Sequence, residues 1–574
     1  MSTTRRALLV SLASLAACGD DGSTSDGATT TPAPTSAPTT PTEATAAPTT
    51  TTATDATAGG VSVSAGETGS TGVDPSAGST TSGVVDGTSG DHGTTGFKFD
   101  MGPMPDMGPP VDMCKVVDDM DAVGDCTDKA PPDSFDPEPQ WTFTGPPGFD
   151  QCIVMPLVAN LTDDNGDGEI DLCDTPDVVV VAGPNEFSDT PPSRLYVLDG
   201  LTGEVHYFAP ELVQLGGTPA LGDIDGDGLP EIVAPGADGD LIAFEHDGAV
   251  KWKSAQQVQG WQSSAVGLAD VDADGDVEIF ISNQLFDHMG NQLWVAGPPQ
   301  IYSATAAADL DGQPGLEVLN GAQAFHADGA PYFDAGNVGQ WVHAQVANFD
   351  DDPQPEVLLA KDNSIELRQH DGAMIWSFVP KNQGDLNRPI NIHDFDGDQK
   401  AEFGVSSPEY YGVYRADHSP LWEAMITDES GQAGGTAFDF IGAGKAQAIY
   451  ADEFTVWVFD ENGAPLMSTP HLSGTIIEYP VVADIDNDGS AEILVVSNNA
   501  LHPEPLPFTV QAVKDVEDRW VQGRRIWNQH TYHVTNVRED GTIPQHEKPH
   551  WQLLNTYRTQ AQIGKDGVCL PPPQ

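Results

Sequence analysis

Positive charge is what this sequence has least of. It carries 23 Lys and Arg against 87 Asp and Glu in 574 residues, a formal net charge of −64. Such a field repels phosphate backbones and anionic headgroups, which disfavours nucleic acid or an acidic lipid surface as a partner. Helical patterning is missing too: beyond residue 140 no stretch repeats apolar residues at a 3.6-residue period, so an all-β class is expected. The six cysteines contain no Cys-x-x-Cys pair, which argues against a zinc ribbon or a dithiol redox site. No phosphate-cradling glycine loop, Ser/His/Asp order or isolated acid pair stands out.

Long apolar runs are nearly absent as well. Residues 1–18 hold one, Ala7 to Ala17, behind Arg5 and Arg6; it is too short to cross a bilayer as a helix and reads as an export signal. The following Leu15-Ala-Ala-Cys18 resembles a bacterial lipobox, which implies lipidation of Cys18 and a surface lipoprotein of the outer membrane, anchored by lipid alone. Residues 19–96 are Thr, Ser, Ala, Gly and Pro with almost no large apolar side chains, so they are expected to form a disordered linker. As a flexible coil of about 80 residues it would hold its ends roughly 50 Å apart. Residues 97–140 read as an irregular Cys-containing segment.

What the chain has in abundance is carboxylate at fixed spacing. In Leu221-Gly-Asp-Ile-Asp-Gly-Asp-Gly-Leu-Pro-Glu-Ile-Val-Ala234, alternating acids precede a glycine and an apolar strand-like run. Hard cations such as Ca²⁺ take six to eight oxygens, which alternating Asp in a tight turn can supply. Related loops begin at Asp163, Asp223, Asp270, Asp309, Asn348, Asp394, Asp439 and Asp484, separated by 60, 47, 39, 39, 46, 45 and 45 residues. Each lies between two apolar segments, and a second hairpin with Asp-Gly or Asn-Gly at its tip often follows, as in Glu245-His-Asp-Gly-Ala-Val-Lys-Trp252. Four short strands per repeat of about 45 residues is the size of a propeller blade. An eight-bladed β-propeller over residues 141–515 is therefore expected, with seven blades as the alternative, followed by a capping tail over 516–574. Trp252, Trp294, Trp376 and Trp422 end their repeats 15 to 18 residues before the next loop. The last repeat has no such Trp, whereas Trp141 precedes the first loop with no repeat of its own, so the Trp141 strand is expected to close the ring.

Positions one, three, five and nine of the loops are the expected Ca²⁺ ligands. Five sets are complete: Asp163, Asn165, Asp167, Asp171; Asp223, Asp225, Asp227, Glu231; Asp270, Asp272, Asp274, Glu278; Asp394, Asp396, Asp398, Glu402; and Asp484, Asp486, Asp488, Glu492. Two are altered: Asp309, Asp311, Gln313, Glu317, and Asn348, Asp350, Asp352, Glu356. The loop at Asp439 has Ile441, Ala443 and Gln447 in ligand positions and is expected to bind nothing. Beside them, Cys152 and Cys173 flank the first loop and are the expected disulfide; Cys114, Cys126 and Cys569 could pair as Cys114–Cys126 or Cys126–Cys569.

These loops resemble the FG-GAP/VCBS repeats of integrin-α-like propellers and of bacterial surface proteins. The resemblance implies calcium bracing of a surface propeller that binds or adheres to glycan or protein partners. Two alternatives stay open: a lyase-like polysaccharide-degrading enzyme, with His393 or the tail histidines as its base, and an envelope spacer. No catalytic residue is assigned. The tail Arg519-Trp-Val-Gln-Gly-Arg-Arg-Ile-Trp-Asn-Gln-His-Thr-Tyr-His533 is the densest cluster of His, Arg, Asn and Trp. It reads either as a sugar or proton-transfer site built on His530 or His533, or as a cap in which Trp527 and Tyr532 pack on the ring while Arg524 and Arg525 pair with its acids.

Overall fold

The computed structural model describes residues 114–115 and 124–571, apart from 133, 186–190, 261–263, 337–340, 351, 362, 383–387, 500, 501, 503 and 565–566. The export segment with Cys18 and the linker 19–96 lie outside the described residues. Eight four-stranded antiparallel units follow one another along the chain. The first comprises Leu157–Ala159, Asp177–Ala182, Pro192–Asp199 and Val205–Phe208, and the second Ala220–Gly222, Glu231–Pro235, Leu241–Phe244 and Val250–Lys253. Blades three to seven start at Gly267–Ala269, Ala306–Ala308, His343–Ala347, Asn391–His393 and Gly435–Phe438. The acidic loops join the first strand of each blade to the second, and Gly-bearing hairpins join the third to the fourth in blades one to five and seven, blade six turning at His418 with φ +58° instead. The only helical element among the described residues is a single 3₁₀ turn, His550–Gln552.

Burial grades outward along each blade. The first strands are fully buried, as in Ala220–Gly222, whereas fourth strands such as Val205–Phe208 are largely exposed. That gradient follows from sequence: the first two strands are continuous Val/Ile/Leu/Ala runs buried on both faces, and the fourth alternates.

Adjacent blades are joined by a repeated indole contact. Trp252 at the end of blade two donates its Nε1–H to the His288 carbonyl of blade three at 2.9 Å, and Trp294 donates to Ala327 of blade four at 2.8 Å. The ring lies flat over the hairpin glycine of the next blade, so a Cβ on Gly290 would stand 2.6 Å from Trp252. Gly290 also has φ +79°, a conformation that L side chains adopt only with strain. The hairpin glycine thus serves two ends, a tight turn within one blade and a flat seat for its neighbour's Trp.

Ring closure uses the same device. Pro137–Phe143 pairs antiparallel with Val510–Asp515, placing Trp141 opposite Ala512, and forms the outer strand of blade eight beside Val481–Ala483 and Glu492–Val496. Trp141 then donates to the Gly200 carbonyl of blade one at 2.7 Å and covers Gly203. No blade edge is left unpaired at the seam, which removes a template for edge-to-edge association.

The disulfides differ from expectation. Cys114 is bonded to Cys173, and Cys126 to Cys569, leaving Cys152 as a buried free thiol. The expected Cys152–Cys173 bridge does not form because the strand Leu157–Ala159 intervenes: Cys152 lies before it, with its N–H on the Ser497 carbonyl, while Cys173 lies in the loop beyond it. Burial pushes the Cys152 thiol up to about 12, and its Sγ–H donates to the Val154 carbonyl.

Candidate functional site

The acidic loops share one internal geometry. The first Asp is a hub for backbone donors: Gly226 and Gly228 N–H reach the two oxygens of Asp223 at 2.7 and 3.0 Å. Gly166 and Gly168 do the same at Asp163, and Gly397 and Gln399 at Asp394. The ninth residue folds back to accept the N–H of the second: Ile224 to Glu231, Val271 to Glu278, Leu310 to Glu317, Phe349 to Glu356, Phe395 to Glu402 and Ile485 to Glu492, all at 2.8–3.0 Å. One oxygen of each ninth-position Glu is thereby engaged. The other faces the loop.

What meets that second oxygen divides the loops into two groups. In blade two, Lys251 of the outer strand brings Nζ to within 2.5 Å of Asp225 and 3.1 Å of Glu231 Oε1. In blade four, His326 Nδ1 lies 2.9 Å from Glu317 Oε1 and 3.9 Å from Asp311. In blade one, His206 Nε2 stands 3.5 Å from both Asp164 and Asp177. These loops carry their own basic side chain. In blade eight, by contrast, Glu492 Oε1 and Asp484 Oδ1 are buried without a hydrogen-bond partner, and in blade five so is Glu356 Oε1. Burial raises these carboxyls: Asp484 and Glu356 to about 7, and Glu278 and Glu402, in blades three and six, to about 8. Burial, with Asp486 and Asp484 beside it, holds the Glu492 carboxyl well above its ordinary range.

Blade one departs from the assigned pattern. Its first strand ends at Ala159, opposite Asp177, so Asn160 stands where Asp223 does in blade two and Asp177 takes the role of Glu231, accepting Leu161 N–H at 2.8 Å. Asp163, Asn165 and Asp167 belong to an inserted turn closed by Asp174, whose Oδ1 accepts the N–H groups of Asp164 and Asn165. Asp171 instead caps Cys173 N–H and donates its own N–H to Asp174. Asp174 was missed because the nine-residue template was carried over from blade two. It stands twelfth from Asp163, the spacing at which an EF-hand loop places its closing acid.

The loop at Asp439 lacks the chemistry of the others. Gln447 accepts Phe440 N–H with its amide oxygen and donates to the Lys445 carbonyl, and Ile441 packs against the cluster around Phe440 and Trp520.

The tail is placed where repeat logic could not foresee. Between Arg524 and Gln560 it bonds to the innermost strand, or its immediate flank, in every blade. Trp527 exchanges two backbone bonds with Val158, and Asn528 accepts Leu221 N–H. Gln529 Oε1 accepts Leu268 N–H, and Thr531 Oγ1 reaches the Thr305 carbonyl. Arg558 binds Gln345 and the Ile390 carbonyl, and Tyr557 exchanges bonds with Ile392. The Arg558 carbonyl accepts from Thr436, and Gln560 donates to the Val482 carbonyl. A single segment touching all eight inner strands occupies the centre of the ring. Its Asn, Gln, Thr and Arg side chains supply partners for strand edges that would otherwise be buried unpaired. Trp527, Tyr532, Arg524 and Arg558 are fully buried there.

Of the two arginines, only Arg525 meets the ring's acidic loops: its Nη1 donates to Asn487 Oδ1 at 3.1 Å and its charge acts on Asp484. Arg524 donates to the Tyr532 hydroxyl and the Val534 and Val537 carbonyls, and the acid partner of Arg525 is Glu539 of the tail itself. The histidines considered for proton transfer are enclosed: His393 is 8%, His530 2% and His533 3% exposed. Burial pushes the His393 imidazole down to about 4 and His530 well below its ordinary value.

Comparison with known proteins agrees with this architecture. An FG-GAP-like repeat family model matches residues 223–281, the segment holding the loops at Asp223 and Asp270. The fold is similar to the biofilm matrix protein Bap1 of V. cholerae, at 19% identity and a TM-score of 0.66, covering 76% of this chain and all of that one. It is also similar to the exotype rhamnogalacturonan lyase YesX, at 14% identity and a TM-score of 0.50, covering 75% and 83%. No curated protein matches the sequence. At these identities the likeness speaks for the fold alone: the chain forms an eight-bladed β-propeller, with an FG-GAP-like repeat match at residues 223–281, whose centre is filled by its own tail.

Proposed function

We propose that the chain is an exported, calcium-braced propeller that acts in binding or adhesion, with a surface glycan or protein as partner. The observation that carries the reading is the filled centre. An enzyme acting on a polysaccharide at the middle of the ring needs a base and a charge-neutralising group within reach of the polymer. Here the tail occupies that place, with His393 of the ring and His530 and His533 of the tail itself all buried. The structural likeness to a biofilm matrix protein supports the same reading. Leu15-Ala-Ala-Cys18 and the Thr/Ser-rich stretch behind it suit a lipid-anchored propeller held away from the outer membrane.

Calcium fits the loops by a test internal to the molecule. A buried carboxylate oxygen with no donor is costly, and the loops at Asp484 and Asn348 each hold at least one aimed at the other acids. A divalent ion supplies the missing charge. Asp484, Asp486, Asp488 and Glu492 would hold it in blade eight, with Asp270, Asp272, Asp274, Glu278 and Asp394, Asp396, Asp398, Glu402 in blades three and six. The loops at Asp223 and Asp309 already hold a basic side chain, Lys251 and His326, and take calcium more weakly.

Binding to a glycan array and to intact cells, with and without chelator, tests the function when run beside a uronic-acid lyase assay. Calcium-dependent binding without product is expected. An unsaturated sugar product would replace this reading with the enzyme, and silence in both assays would leave the envelope spacer.

A further inference from the structure

Besides the acidic loops, the tail contains a group of different chemistry. His533, Glu547 and His550 bring one nitrogen or oxygen each within 4.8 Å of one another, in a place none of the calcium loops uses. His533 Nδ1 lies 3.0 Å from the Thr531 carbonyl, and His550 Nε2 lies 2.8 Å from the Val346 carbonyl of blade five. A carbonyl only accepts, so these two ring nitrogens carry the protons. His533 Nε2 donates to Glu547 Oε1, a proton that a metal would displace, whereas His550 Nδ1 keeps a free lone pair. Imidazoles that bind metal are typically anchored in this way through their second N–H.

An ion pair between His533 and Glu547, 2.5 Å apart, accounts for two members of the group. It leaves the third unexplained. His550 is fully buried, and its Nδ1 has no hydrogen-bond partner, although its ring centroid lies 4.3 Å from that of His533. Glu547 is also bonded by Thr535 Oγ1 at 3.2 Å, which orients its carboxylate. Tyr557 stacks on His533 at 5.4 Å and Trp551 packs edge-on to His550, so the rings have little freedom to turn away.

From this geometry we infer that His533, Glu547 and His550 form a transition-metal site of the Zn²⁺ class, joining the tail to itself beneath blade five. Two imidazoles and one carboxylate are a donor set for Zn²⁺ rather than for Ca²⁺, which selects oxygen. The three ligands come from two places in the tail, the turn at His533 and the segment Glu547–His550 that enters the 3₁₀ turn. A metal here clips a segment of 18 residues, counting His533 to His550, that also carries the bond between Gly541 and Asp223.

The test uses the full chain, stripped with chelator and returned to millimolar Ca²⁺ so that the acidic loops are saturated. Zn²⁺ binding is followed by competition with a chromophoric chelator, and Co²⁺ by its visible absorption. One equivalent is expected, with a Co²⁺ spectrum of tetrahedral, nitrogen-ligated type. Glu547→Gln and His550→Gln are each expected to weaken Zn²⁺ at least tenfold; the second keeps an amide N–H for the Val346 carbonyl, and circular dichroism melts in Ca²⁺ report whether either variant is folded. Lack of a stoichiometric site in the folded wild type overturns the inference. So does Zn²⁺ binding that survives unchanged in folded His550→Gln, since the ion pair alone would then explain the cluster.

Discussion

Replacing Trp141 with alanine tests whether the seam holds the ring as one cooperative body. The indole is buried, donates to the Gly200 carbonyl at 2.7 Å and covers Gly203. Truncating such a side chain costs about 3–5 kcal/mol. The effect on Tm depends on how much of the molecule melts with it, because the entropy of unfolding is about 2.1 cal/mol/K per residue. If about 440 residues melt together, the slope is roughly 0.9 kcal/mol per degree and Trp141→Ala lowers Tm by about 3–5 °C. A lone blade of about 45 residues would instead shift by some tens of degrees. Trp141→Phe keeps most of the ring and loses the N–H bond, about 1 kcal/mol, hence a drop of about 1 °C. Calorimetry in calcium, with Trp294→Ala as an internal-seam control of the same size, distinguishes these cases. An unchanged melt, or equal shifts for Trp141→Ala and Trp141→Phe, would refute the view that indole packing seals the ring.

Chelation is expected to lower Tm, and at 1 mM Ca²⁺ each site with a Kd near 10 µM restores about 2.7 kcal/mol. Asp484→Asn with Glu492→Gln should remove one such increment, while Lys251→Met should add a calcium equivalent by calorimetric titration. Glu453 offers a pH test: burial, with Asp428, Glu429 and Asp452 adding, pushes its carboxyl up to about 7, while the Glu429 N–H it accepts pulls the other way. His502 faces it at 3.7 Å. Because the folded state holds this proton more tightly, its contribution is intact below pH 4.5 and lost as pH rises to 7. Glu453→Gln should therefore match wild type at pH 4 and exceed it at pH 8 by roughly 1–2 kcal/mol in urea melts. Replacing Cys126 and Cys569 by serine opens a loop of 443 residues and should cost up to about 5–6 kcal/mol, read as a lower urea midpoint.

The blades were legible because their chemistry repeats. Alternating acids, the Asp-Gly hairpin and the terminal Trp each impose a local geometry, and a constant period translates it into a ring. Even the closing strand could be found, since Trp141 is a repeat's last residue without the repeat. What escaped were features that depend on neighbours distant in sequence. The insertion in blade one starts the loop three residues earlier, at Asn160, and closes it six later, so Asp177 rather than Asp171 takes the ninth-position role. The cysteine pairing depends on which end of Leu157–Ala159 each thiol faces. Lys251, His326 and His206 sit on outer strands or hairpins with no fixed motif, yet they decide which loops hold a basic side chain of their own. The tail shows no period because each of its residues answers a different blade.

The way the tail meets every inner strand also orders assembly in time. Each blade's pairings lie within about 45 residues and can form soon after those residues are available. The inner edges, however, wait for partners between Arg524 and Gln560, and the strand Pro137–Phe143 waits for blade eight. A chain emerging from its amino end therefore passes through a stage of formed blades around an unfilled axis, with eight inner edges open to solvent or to a chaperone. Maturation then becomes one late event, in which seam and axis are sealed together, and a carboxy-terminal truncation before Arg524 would stop the molecule one step short of it.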